Sequence, residues 1–259
     1  MNRRNLIIGA LASFFDSILS VFAGPRVEVR SYGPAKLDIY RTDGARGALI
    51  YVHGGAWRFG SRRKVDAKPE WAAAQGLHFI SIDYPMLPET PVPDQISAVR
   101  QAIDWCFENI APPENTIVMG HSAGAHLAAM ATLTGWDPRP AGVILNDSGA
   151  LDLLTLSRAY NGTLPKPVRQ AFPDEDTWER LSPAYRLAAP LPAILAIHSR
   201  ARGHAKAIGN FVALARAEGA PIAHFDGSAY RHSPINRQIG TGKFPKLDSA
   251  LTGFIRRVV

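Results

Sequence analysis

The sequence predicts an α/β fold, a mostly parallel central sheet with helices on both faces. Short apolar runs at 48–52, 79–83, 116–119, 142–145, 193–197 and 221–225 read as buried strands. Helix-length segments at 69–75, 94–109, 123–133, 205–218 and 246–258 lie between and after them. Parallel strands need long crossovers, and helices are the usual ones. The composition, 46% apolar and 20% charged, is that of a chain able to bury a core and not of a disordered one. At 259 residues one domain over 24–259 is expected.

The N-terminal segment 1–23 opens with Arg3-Arg4 and continues into an apolar stretch from Leu6 to Phe15, interrupted by Asp16. It reads either as an export signal, with the paired arginines resembling a twin-arginine leader, or as an amphipathic helix resting on the domain or on a membrane surface. Exported and cytoplasmic locations both stay open. The apolar run is well short of the ~20 residues that span a bilayer. Residues 27–40 follow as antiparallel edge strands.

The first buried strand, 48–52, leads into His53-Gly54-Gly55-Ala56-Trp57. Glycines there let the main chain approach a substrate, so the N–H groups of Gly54, Gly55 and Ala56 are candidate donors to a carbonyl oxygen. In the segment 94–109, Ile96, Val99, Ile103, Cys106 and Phe107 recur at helical spacing. Cys106 is the sole cysteine, which excludes an intrachain disulfide and favours a buried thiol over a nucleophile.

The strand at 116–119 runs into Gly120-His121-Ser122-Ala123-Gly124 and then a helix-forming stretch. A serine on a sharp strand-to-helix turn has its oxygen exposed, provided the residues two positions away are small, as Gly120 and Gly124 are. The helix that starts after Ser122 aims its first amides, Ala123 among them, at the place where negative charge would develop. Together the two turns resemble the α/β-hydrolase fold superfamily, in its His-Gly-Gly branch of serine esterases, lipases and arylformamidases. The resemblance runs over about 27–257, with Asp83-Tyr84-Pro85 and Leu181-Ser182-Pro183 as further landmarks.

That resemblance implies a nucleophilic Ser122 and an oxyanion hole from Gly54, Gly55 and Ala123. It also implies a base in the loop after the last strand, where His232 stands in Tyr230-Arg231-His232-Ser233. An imidazole suits proton transfer near neutral pH. The stretch 150–192 carries Pro165, Pro167, Pro173, Pro183, Pro190 and Pro192 and reads as an irregular, cap-like insertion over the sheet.

The third member of the triad is the point of departure. The family places it just after the strand that is here 193–197, yet no carboxylate appears until Glu218. Asp226, at the end of the last strand, is the first choice by nearness to His232, with Asp152 and Asp147 as alternatives. A Ser–His dyad and a non-catalytic binding protein built on the same fold also remain open.

The expected reaction is hydrolysis of a carboxylic ester, or of a related formyl amide, through an acyl-enzyme. The expected partner is a small acyl substrate, with no cofactor and no metal, since H-E-x-x-H and G-x-G-x-x-G motifs are missing. The excess of seven positive charges is spread without long runs, so no nucleic-acid partner is expected.

Overall fold

The computed structural model describes residues 27–259. Its strands are β1 Val27–Ser31, β2 Lys36–Tyr40, β3 Gly47–Val52, β4 Leu77–Ile82, β5 Thr116–His121, β6 Gly142–Asn146, β7 Ala193–Ser199 and β8 Ile222–Gly227. The main helices are α1 Lys68–Ala74, α2 Val92–Asn109, α3 Ala123–Leu133, α4 Leu153–Arg158, α5 Lys166–Ala171, α6 His204–Ala217, α7 Pro234–Arg237 and α8 Pro245–Val258. The candidate leader 1–23 lies outside the described residues. No helix among them is long and apolar enough to cross a membrane.

The strands form one sheet in the order β1-β2-β4-β3-β5-β6-β7-β8. β1 and β2 pair antiparallel at one edge, and every neighbour from β4 to β8 is parallel. The chain leaves β3 towards β4, then crosses back over β3 to β5. This reversal opens a crevice at the carboxyl ends of β3 and β5, where open α/β sheets bind ligands. The His-Gly-Gly turn and the serine turn follow those two strands.

Alternate strand residues feed opposite faces. Leu49, Tyr51, Ile117, Met119 and Ile144 pack with Trp71 of α1 and with Leu247, Leu251, Phe254 and Ile255 of α8. Ile50, Val52 and Val118 face α2, while Val143, Leu145, Ile194 and Ala196 face α6. In α8 the buried positions recur at i, i+4, i+7 and i+8, the stripe of a helix lying on a core. Helix α3 is buried along its whole length, so its run of alanines lets it sit close to the sheet. Cys106 is buried in α2, and burial pushes its thiol up, away from reactivity.

The stretch 150–192 forms short pieces: α4, α5 and the 3₁₀ turns Glu175–Thr177 and Pro183–Tyr185. His126 ties this stretch to the sheet. Its Nε2 lies 2.8 Å from the Leu181 carbonyl, and its Nδ1 accepts from Trp57 Nε1 at 3.3 Å. Complete burial lowers the His126 pKa to about 4, so the ring is a neutral strut between the insertion and the loop after β3.

Candidate active site

Ser122 has φ 55° and ψ −123°, a strained backbone for any residue with a side chain. It follows directly from the strand-to-helix reversal. Glycine is required on either side. A Cβ at Gly120 would stand 2.2 Å from the Gly124 carbonyl oxygen, and one at Gly124 would stand 2.1 Å from that of Val52. The Ser122 N–H is taken by the Asn146 carbonyl at 2.9 Å. The next N–H, that of Ala123, lies in the first turn of α3, where a helix leaves its amides without an intrahelical partner.

The loop after β3 closes against the serine. A Cβ at Gly54 would stand 3.0 Å from the Ser122 Cβ, and Gly55, Ala56 and Trp57 all have positive φ. His53 anchors this loop: its ring stacks on Tyr84 with centroids 4.5 Å apart, and the Tyr84 hydroxyl donates to its carbonyl at 3.0 Å. Gly54, Gly55 and Ser122 line one wall of a cleft of about 1200 Å³, and His232 and His204 line another.

His232 lies 2.9 Å from the Ser122 Oγ through Nε2 and 2.6 Å from Asp147 Oδ2 through Nδ1. An ionised carboxylate only accepts, which assigns the proton to Nδ1 and leaves Nε2 to accept from the serine hydroxyl. The loop carrying His232 is pinned by His121, whose Nε2–H donates to the His232 carbonyl at 3.0 Å. Burial lowers the His121 pKa to about 3, with the neighbouring His232 adding to the effect.

Asp147 follows β6 with φ 60° and is fully buried. Its Oδ1 accepts from the Ser199 N–H and from His204 Nδ1–H, both at 2.8 Å. Burial alone would raise this carboxyl. The hydrogen bonds from His204 and His232 outweigh it and hold the group well below the usual carboxylate range. Asp147, His204 and His232 are also a set whose potential ligand atoms lie within 4.8 Å of one another. Their spacing is accounted for by the two histidine–carboxylate hydrogen bonds.

The sequence-based first choice of acid is thereby corrected. Asp226 sits at the end of the edge strand β8 with its side chain 73% exposed, 3.1 Å from His198 Nε2 and accepting from the Ser228 N–H. It does not meet His232. Asp152 is buried but committed elsewhere: it caps α4 through the Thr155 N–H and accepts from Tyr185 and Asn210. Where a carboxylate was expected, the last residue of β7 supplies the Ser199 amide and the start of α6 supplies the His204 ring. His204 carries no local sequence signal, since only the fold brings it to Asp147.

A family model described as alpha/beta hydrolase fold matches residues 49–174. The kynurenine formamidase of Salmo salar is 31% identical over 133 residues, which cover 48% of this chain and 45% of that protein. Esterase LipQ of Mycobacterium tuberculosis is 40% identical over 122 residues, covering 41% of this chain and 29% of LipQ. The chain thus spans less than half the length of these two curated relatives. Among solved structures, EstE5 superposes with a TM-score of 0.76 over 90% of this chain and 84% of its own, at 19% identity. The chain thus has the alpha/beta hydrolase fold, and over part of its length it is similar in sequence to esterases and to a kynurenine formamidase.

Proposed function

We propose that the chain hydrolyses carboxylic esters of small acyl substrates through an acyl-enzyme on Ser122. The observation that carries this reading is the hydrogen-bonded line Ser122 Oγ, His232 Nε2 and Nδ1, Asp147 Oδ2, with steps of 2.9 and 2.6 Å. In it His232 removes the serine proton as the oxygen attacks the carbonyl, then returns that proton to the departing alcohol. Asp147 keeps the imidazole in the required tautomer and stabilises its charged form. The amides of Gly54, Gly55 and Ala123 receive the oxyanion, each donor contributing about 3 kcal/mol to the transition state. Water, activated by the same imidazole, then releases the acid.

Residues 24–259 act in this reading as one catalytic unit, with 150–192 forming a wall of the substrate cleft. A formyl amide would pass through the same intermediates, and the likeness to a kynurenine formamidase supports testing one beside an ester. A fluorophosphonate probe tests the proposal: wild-type protein should label and turn over p-nitrophenyl butyrate, and Ser122→Ala should do neither. Equal labelling of the two would remove Ser122 from the chemistry, and a wild type that neither labels nor turns over the ester would favour a binding protein.

A further inference from the structure

The charge on the cleft wall points to a substrate class. Six charged side chains line the cleft besides the histidines: Arg58, Arg63, Lys64, Lys166 and Arg237 are cationic, and Asp66 alone is acidic. The Asp66 carboxylate already lies 3.4 Å from Lys68 Nζ. None of the five cations is in an ion pair among the described residues. Arg62, in the same loop as three positions of this set, behaves differently. It is buried and spent on Asp38 and Asp83. The unpaired charges are therefore not a by-product of holding the loop in place.

The five cations come from three separate parts of the chain: the loop after the His-Gly-Gly turn, the start of α5 and the end of α7. Four are exposed and Arg58 is half-buried, so they sit at the mouth and not beside the nucleophile. The inner end is different in character. The negative charge of Asp147 is buried behind His232, and the walls include the buried Trp57 and Leu156. A cleft that is apolar inside and cationic at its mouth selects for charge at one end of the ligand, because walls of low dielectric focus the field across the opening.

Resting on the hydrolase reading above, we propose that the preferred substrate is an ester of an acid that carries a second anionic group, such as a carboxylate, remote from the scissile bond. The apolar chain lies along the cleft towards Ser122, and the anion stays at the mouth among Arg58, Arg63, Lys64, Lys166 and Arg237.

The test compares p-nitrophenyl hexanoate with mono-p-nitrophenyl adipate, which keeps the chain length and adds a terminal carboxylate. At low ionic strength the adipate ester should have the higher kcat/KM by about tenfold, carried mainly by KM. Added salt should bring the ratio towards one as the Debye length shrinks below ~10 Å. In Arg63→Gln/Lys166→Gln the ratio should also fall, and because it is read within one protein, partial misfolding does not imitate the effect. Equal rates on the two esters, or a ratio unmoved by salt and by the substitutions, would overturn the substrate class and leave the hydrolase reading standing. If neither ester is cleaved and Ser122 does not label, the hydrolase reading falls and this one with it. Sedimentation with phosphatidylserine vesicles together with a ratio of one would assign the cations to an anionic surface, again overturning the proposal.

Discussion

At the scale of single residues, Asp147 is the position on which the proposed chemistry turns. It is adjacent to Ser122 by sheet register, not by sequence: His121 pairs with Asn146 across β5 and β6, so the residues that follow emerge side by side. The three donors on its carboxylate make it a fixed negative charge beneath the base. Asp147→Asn is expected to lower kcat on an ester by about 10⁴-fold, since an amide cannot hold His232 in the same tautomer. Asp226→Asn is expected to change kcat by less than about twofold, because surface substitutions away from such features have small effects. Steady-state kinetics of the two variants side by side checks both, and a large loss at Asp226 with none at Asp147 would reverse the assignment.

At the scale of elements, the site is a junction of two strand ends and one helix start. β3 delivers the His-Gly-Gly loop, β5 delivers the serine, and Gly124 in the first turn of α3 lets the two approach. Adding a methyl at Gly124 would drive a Cβ to 2.1 Å from the Val52 carbonyl, which backbone movement must relieve. Gly124→Ala is therefore expected to lose stability by about 1–3 kcal/mol, the usual range for overpacking. It should also slow fluorophosphonate labelling of Ser122 by more than the unfolded fraction explains. Denaturant melts combined with labelling rates separate the two contributions. The serine turn and its glycines were legible in the sequence because both the requirement for small residues and the strand-to-helix context are local.

At the scale of the whole molecule, buried ionisable groups set how stability follows pH. Lys68 is fully buried, with its ammonium near Asp66 and over the Tyr51 ring. Burial lowers its pKa from 10.5 to about 8. Between those values the unfolded chain holds a proton that the folded chain has released, so this residue makes stability rise with pH from about 8 to 10.5. Below that window it is a burden of about 3 kcal/mol. Lys68→Met is expected to raise the melting temperature at pH 7 and to flatten the rise between pH 8 and 10. On the acid side His126 is held neutral down to about 4, so stability falls as pH drops from 6.5 towards that value. Thermal melts across the pH range, with and without the substitution, check the sign of each slope.

The sequence alone determined the parallel sheet, the edge hairpin, the serine turn, the glycine loop and the location of His232. These rest on patterns that operate within a few residues: apolar runs, helical spacing, small neighbours around a strained turn. Tertiary structure alone decided which carboxylate meets the imidazole. Nearness along the chain favoured Asp226, yet β8 lies at the sheet edge and turns that side chain to solvent, while Asp147, 85 residues from His232, is carried beside it by parallel pairing of β5, β6 and β7. The same holds for His204 and for the cations that line the cleft, because separate segments converge there only after the crossovers have closed the sheet.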